Sequence, residues 1–269
     1  MIIGVDTGGT KTLITVFDDN GILQDKQKFL TPRDIHVYIE QVVSTILTMA
    51  PQRSELKAIS VAVPGTVENQ IAVVCKNLGW QNIDILGLLR THFPEVPMWL
   101  ENDANLGGVG TTWLLDPQPN RCLYITISTG IGAGFVIDGA ISQDLATAEV
   151  GDMVIECDGR VGTWEDMASG SAILAEYSLY ANELTDARAI RDISKRIARG
   201  FQALLPVLRP DIVAVGGGVG AHFDRFSQHV DEAMEMLRKD YRCPIVTAPY
   251  PEEIVAYGCY FYAEHKLNA

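Results

Sequence analysis

Cysteine and positive charge are both scarce in this sequence, and each scarcity removes a class of function. The five cysteines (Cys75, Cys122, Cys157, Cys243, Cys259) are odd in number, widely spaced and form no CxxC pair. They predict neither a disulfide frame nor a thiolate cluster, and read as reduced thiols in a cytoplasmic protein. Twenty-one Lys and Arg stand against 34 Asp and Glu, a net charge of -13. Such a surface repels nucleic acid and anionic membranes, so neither is an expected partner. No apolar run approaches the roughly 18 residues that a membrane helix needs, and Asp6 interrupts the one apolar start, so no leader is expected. Low-complexity linkers are missing too. What remains is a 269-residue chain, 47% hydrophobic and 20% charged. It is long enough for one large or two modest domains with a substantial core.

The apolar pattern predicts an α/β chain that starts its plan twice. A strand at 2–5 runs into a glycine turn and returns over 12–17, and Asp18-Asp19-Asn20-Gly21 turns the chain into a third strand. Thr31 as N-cap, with Pro32 behind it, opens a helix whose Ile35, Tyr38, Ile39, Val42, Val43, Ile46 and Leu47 repeat at helical spacing. A buried strand at 58–63, a helix over 85–93 and a strand at 97–100 follow. The plan restarts with strands at 122–127 and 134–137 around a second glycine turn. Helices over 164–181 and 186–205 come next, then a strand at 211–215 ending in Gly216-Gly217-Gly218 and a helix from about 222. A strand at 244–247 and a helix over 252–266 close the chain.

Asp6-Thr7-Gly8-Gly9-Thr10-Lys11 is the most informative run. Gly8 and Gly9 offer positive φ and close approach of backbone N–H groups to an anion. Thr10 and Lys11 add donors, and Asp6 an oxygen for Mg²⁺ or one of its waters. The run also reads as a plain hairpin turn, and a hairpin can carry a phosphate loop. A second run, Ser128-Thr129-Gly130-Ile131-Gly132-Ala133-Gly134, occupies the matching place in the second half. Gly216-Gly217-Gly218 lacks the GxGxxG spacing of a dinucleotide loop. Together the three runs fit a nucleotide held between two halves, the first two at its phosphates and the third beside adenosine.

The chain resembles the ROK family of sugar kinases, within the actin–hexokinase–Hsp70 superfamily of ATPases. The resemblance rests on the runs at 6–11 and 128–134, on Val63-Pro64-Gly65, Asn77-Leu78-Gly79-Trp80, Glu101-Asn102-Asp103-Ala104-Asn105 and Glu149-Val150-Gly151, and on Gly216-Gly217-Gly218-Val219. It implies two ribonuclease-H-like (actin-like ATPase) domains with an interdomain cleft, one formed by 1–105 with 253–269 and one by 106–252. It implies ATP-dependent phosphorylation of a hexose, with glucose at C-6 the first choice and N-acetylmannosamine, N-acetylglucosamine, fructose, mannose or allose as alternatives. A homodimer is the family expectation. Asp103 is the implied catalytic base, although an Asn-Asp pair before a helix also reads as a cap. Gly65, Asn77, Asn102, Asp103, Glu149, Asp152 and Glu165 are the implied sugar residues. Asp6, Gly8, Gly9, Thr10, Lys11, Thr129, Gly130, Gly132, Gly217 and Gly218 are those implied for ATP, with Asp6 also for Mg²⁺, through water. Trp80 is expected to pack beside this site rather than touch sugar.

Zinc-bearing members of the family follow the glutamate with Gly-His and a CxCGxxGCxE run. Here the histidine position is Asp152, and the three cysteine positions are Glu156, Asp158 and Thr163, with Cys157 out of register. One thiol cannot assemble a tetrahedral Cys/His site, so no zinc is expected. Asp152 either replaces the histidine as a hydroxyl acceptor or faces solvent. Two other classes compete with the kinase: a sugar-responsive repressor, which would carry a helix-turn-helix module ahead of residue 6, and a non-catalytic sugar sensor. The zinc expectation has a direct check. Elemental analysis of protein purified without added metal is expected to find no stoichiometric zinc.

Overall fold

A computed structural model describes residues 1–269, which divide into two compact units, Met1–Gly110 with Val255–Ala269, and Thr111–Ile254. In the first unit the strands β1 (Ile2–Thr7), β2 (Lys11–Phe17) and β3 (Leu23–Leu30) form an antiparallel meander. Helix α1 (Ile35–Met49) leads into β4 (Ala58–Val63), which pairs in parallel with β1. A small antiparallel sheet of β5 (Thr66–Glu68), β6 (Ile71–Cys75) and β7 (Trp80–Ile83) follows, then α2 (Ile85–Arg90). Next, β8 (Met98–Asn102) pairs in parallel with β4 and runs into α3 (Asp103–Leu114).

The second unit repeats the plan. Here β9 (Arg121–Ile127), β10 (Ile131–Ile137) and β11 (Ala140–Ile141) form the meander. The hairpin β12 (Val154–Cys157) and β13 (Arg160–Thr163) precedes helices α4 (Trp164–Ala168), α5 (Gly170–Tyr177) and α6 (Ala187–Leu208). Then come β14 (Ile212–Gly216), α7 (Gly217–Gly220), α8 (Asp224–Met234) and β15 (Ile245–Thr247). The chain ends in α9 (Ile254–Leu267), which returns to the first unit, where Ala256, Tyr260 and Ala263 pack with Ile2, Leu13 and Phe17. The strand orders are β3-β2-β1-β4-β8 and β11-β10-β9-β14-β15. Each is an antiparallel meander extended by two parallel strands, the order that a ribonuclease-H-like plan requires.

Burial follows the apolar pattern. Tyr38, Ile39, Val42, Val43 and Ile46 of α1 are buried against the first sheet, with Ile35 and Leu47 at its margin. In α6, Ile193, Ile197, Phe201 and Leu204 enter the second core. Asp138 and Gly139 both take positive φ in the β10–β11 turn, as the sequence predicts.

Several expectations need correction. Asp34, not Thr31, caps α1, accepting from the His36 and Val37 amides. Thr31 is engaged elsewhere: its N–H donates to the Thr10 carbonyl and its hydroxyl to Gly8. The single helix over 164–181 is two. Ser169 ends α4 and caps α5 through the Ala172 amide, while the Gly170 N–H leaves the helical ladder for the Ser128 carbonyl. Gly8 and Gly9 do not use positive φ; they are small because neighbours press on them. The strands β5, β6, β7, β12 and β13 escape the sequence pattern because each is five residues or shorter and partly solvated.

One close approach ties the second core together. A Cβ on Gly200 of α6 would overlap the ring of Trp164, which is fully buried and stacks edge-on against Phe201 with centroids 5.6 Å apart. Replacing Gly200 by Ala is therefore expected to lower stability by about 1–3 kcal/mol. Thermal denaturation should show a melting point lower by roughly 2–4 °C for each of those kcal/mol.

Candidate active site

Parallel pairing brings the carboxyl ends of β1, β4 and β8 to one edge of the first sheet, where ligands of open α/β sheets bind. Asp6 lies in register with Ala62, and Ala62 with Glu101. Asp6, Gly65, Asn102 and Asp103 therefore share this edge, although up to 97 residues separate them in the chain. Gly65 takes φ of 110°, and a Cβ there would overlap the Val74 carbonyl. Its own carbonyl accepts from Asn102 Nδ2 at 2.9 Å.

The corner between β8 and α3 is tightly bonded. Asn102 Oδ1 accepts the Asn105 N–H at 3.0 Å, so Asn102 caps the helix while Asp103 occupies its first position. Asp103 Oδ1 accepts the Ala104 N–H at 2.8 Å. Glu101, which the sequence reading did not single out, accepts from the Asn102 amide at 2.8 Å and from Asn105 Nδ2 at 3.0 Å. Burial raises its pKa, with the two donors and Lys266 pulling the other way. Beneath the corner, burial pushes the Cys75 thiol up to about 11, aided by the charge of Asp103, so it stays protonated.

The turn between β1 and β2 is braced from several sides. Gly8 donates to the Lys11 carbonyl at 2.9 Å, and a Cβ on Gly9 would stand 3.0 Å from Asn77 Cβ. The Asn77 turn between β6 and β7 thus lies against the glycines. The Thr31 hydroxyl reaches the Gly8 carbonyl at 2.8 Å and meets Thr12 Oγ1 at 2.9 Å. Behind the turn, Thr7 Oγ1 and the Tyr38 hydroxyl are 2.7 Å apart. Tyr38 in turn packs edge-on against Trp80, whose indole N–H bonds to the Arg33 carbonyl at 2.7 Å. Trp80 is a buried packing residue, as expected. Thr10 and Lys11 are exposed at the tip.

The second unit carries the other set. The turn between β9 and β10 closes with Ser128 N–H on the Gly130 carbonyl, 2.8 Å, and the Ile131 N–H donates to Glu165 Oε2, 2.8 Å. Thr129 is exposed at its tip, and Gly132 follows on β10. A Cβ on Gly217 would stand 2.7 Å from the Ile127 carbonyl, so Gly217 and Gly218 flank the same turn. Glu149 and Asp152 are exposed at the two ends of a 3-10 turn over Val150–Asp152. Its Gly151 packs against Ile131 and Glu165. The positions aligned with the zinc motif have structural partners: Glu156 accepts the Gly159 amide, Asp158 pairs with Lys195 at 3.2 Å, and Thr163 caps α4. Cys157 faces the second core.

Asp6 dominates the electrostatics of the first edge. The residue is partly covered, and burial of its carboxyl pushes the pKa up to about 7, with the Lys28 cation pulling it back. No three His, Cys, Asp or Glu side chains cluster as a metal site. A single carboxylate beside a glycine turn is a donor set suited to Mg²⁺, which keeps its waters and takes its other oxygens from phosphates. Cβ atoms on Gly8 and Gly9 would stand 2.9 Å from the Lys11 carbonyl and 3.0 Å from Asn77 Cβ, so the turn closes this tightly only with glycine at both positions.

A model of the ROK family matches residues 2–253. A Bacillus subtilis (strain 168) protein provisionally named a fructokinase is 27% identical over 256 residues, covering 87% of this chain and 83% of its own. A xylose repressor of Caldicellulosiruptor bescii is 25% identical over 280 residues, covering 88% of this chain and 68% of its own. The crystal structure of a ROK family glucokinase from Streptomyces griseus, in complex with glucose and AMPPNP, superposes with a TM-score of 0.83 at 20% identity. It covers 98% of this chain and 99% of that one, and shares the fold.

The raised pKa of Asp6 gives a signed prediction for the metal-free protein. The folded state keeps a proton that the unfolded chain releases near 3.8. Asp6 therefore makes stability fall as pH rises from about 4, the loss being complete above about 7. Its size is at most a few kcal/mol, since part of the residue meets solvent. Between about pH 5 and about pH 8 the wild type is expected to lose more melting temperature than Asp6→Asn, measured in EDTA.

Proposed function

The chain belongs to the ROK family, and from that premise we propose that it transfers the γ-phosphoryl group of ATP to a hexose hydroxyl. The observation that carries this reading is the shared edge of Asp6, Gly65, Asn102 and Asp103, with a braced glycine turn beside it. Phosphoryl transfer needs an oriented hydroxyl, an acceptor for its proton and compensation of phosphate charge. In this reading Asp103 takes the hydroxyl proton as the sugar oxygen bonds to the γ-phosphorus and the bond to the leaving ADP oxygen breaks. Asp103 is held for that task by the Glu101–Asn102–Asn105 bonds. Asn77, Glu149, Asp152 and Glu165 accept from sugar hydroxyls, because each oxygen can take a donor. Asn102 spends one N–H on the Gly65 carbonyl and one lone pair on the Asn105 amide, which fixes its plane and leaves a second N–H and a second lone pair for sugar hydroxyls. Thr10, Lys11 and Thr129 contact phosphates, and Gly8, Gly9, Gly130, Gly132, Gly217 and Gly218 keep the backbone close to the nucleotide. Mg²⁺, held through water by Asp6, would neutralise phosphate charge.

Glucose phosphorylated at C-6 is the first choice of acceptor. Fructose, mannose, allose and the N-acetylhexosamines are the alternatives, and the named fructokinase and glucokinase relatives fit this range. The cytoplasm as location, a homodimer and the lack of zinc belong to the same proposal. A coupled ADP-release assay across these hexoses is expected to show sugar-stimulated release. No stimulation by any of them would favour a non-catalytic sugar-binding protein. Asp103→Asn is expected to lower turnover by roughly 10²–10⁴ while leaving sugar binding largely intact. Near-normal turnover would remove Asp103 from the role of base.

A further inference from the structure

Glu165 joins two segments of the second unit that the sugar-kinase reading gives to different substrates. Its Oε2 accepts the Ile131 amide of the phosphate turn at 2.8 Å. Its Oε1 has no hydrogen bond within the protein, and the side chain is partly open to solvent. Two glycines make room for this carboxylate. A Cβ on Gly130 would overlap Glu165 Oε2, and one on Gly151 would overlap the Ile131 carbonyl and stand 3.3 Å from Oε2. The phosphate turn, the Glu149–Asp152 turn and the start of α4 therefore converge on one acid.

The backbone that carries Glu165 is firmly anchored. The Trp164 N–H donates to the Met153 carbonyl at 2.8 Å, its indole N–H to Arg196 at 3.1 Å, and Thr163 caps α4 through the Asp166 amide at 3.1 Å. Against this fixed base, the phosphate turn depends on the carboxylate for its single side-chain tie at Ile131. A bond from an amide to a carboxylate is about twice as strong as one between neutral groups.

The geometry points to Glu165 as a positioning residue that couples the two substrates. This inference rests on the sugar-kinase reading above. A sugar hydroxyl donating to Oε1 fixes the carboxylate plane, and the fixed Oε2 holds the Ile131 amide in the orientation that phosphates require. Sugar and nucleotide then tighten each other by the same factor, as linkage demands. A turn fully ordered only with sugar in place also handles ATP poorly in its absence, which limits wasted hydrolysis.

The test is calorimetric titration of Mg·AMPPNP, with and without the hexose that most stimulates ADP release, at a concentration shown to saturate each variant. The wild type is expected to bind AMPPNP about fivefold or more tightly with sugar present. In Glu165→Ala that ratio should fall to near one, and AMPPNP affinity without sugar should also weaken several-fold. Glu165→Gln keeps an acceptor for Ile131 and should restore the sugar-free affinity. Gly130→Ala displaces the carboxylate without removing it and should lose the coupling in the same way. Unchanged sugar-free affinity in Glu165→Ala would make the residue a sugar ligand only and overturn the proposal, as would wild-type binding of both ligands without coupling. Wild-type protein that binds no AMPPNP would instead overturn the kinase reading itself, and this inference with it.

Discussion

Parallel pairing of β1 with β4 and of β4 with β8 is the constraint on which the first unit's chemistry depends. In-register parallel strands must end at the same edge, so a carboxylate near residue 6, a turn near 65 and a helix start near 103 meet without any of them reaching far. The second unit obeys the same rule through β9, β14 and β15, which sets the 128–130 turn beside Gly217. Connections between parallel strands must cross over, and the helices that do so, α1 and α2 in the first unit and α6 and α8 in the second, each bury an apolar face in the core of their unit.

Close approach is the second theme. Gly65, Gly130, Gly151 and Gly200 are each pressed by a carbonyl, a carboxylate or an indole. Their partners, Val74, Glu165, Ile131 and Trp164, lie 9 to 36 residues away in the chain. The glycines trade side-chain area for proximity, and the proximity goes to the groups that hold functional residues in place. Glu101 and Thr31 act in the same sense: one fastens the Asp103 corner, the other the glycine turn.

Much of the fold was legible in the sequence because long buried elements leave long patterns. The strand at 58–63 and the stripe on α1 are apolar for packing reasons that a residue count can detect. Short, half-solvated strands such as Thr66–Glu68 leave no such trace. Caps were legible only in part. Thr31 and Asp34 are both suitable cap residues, and the choice fell to Asp34 because the Thr31 hydroxyl is drawn to the Gly8 carbonyl across the meander.

The family, the doubled α/β plan and the glycine turns with their neighbouring acids and amides were readable from the chain, since these follow from local propensity and from contiguous motifs. What each polar atom is bonded to emerged in the folded molecule. It gave Asn102 to Gly65 and Asn105, one oxygen of Glu165 to Ile131, and a pKa of about 7 to Asp6. Hydrogen-bond partners and burial are set by segments distant in sequence, and no local pattern encodes which of them will arrive.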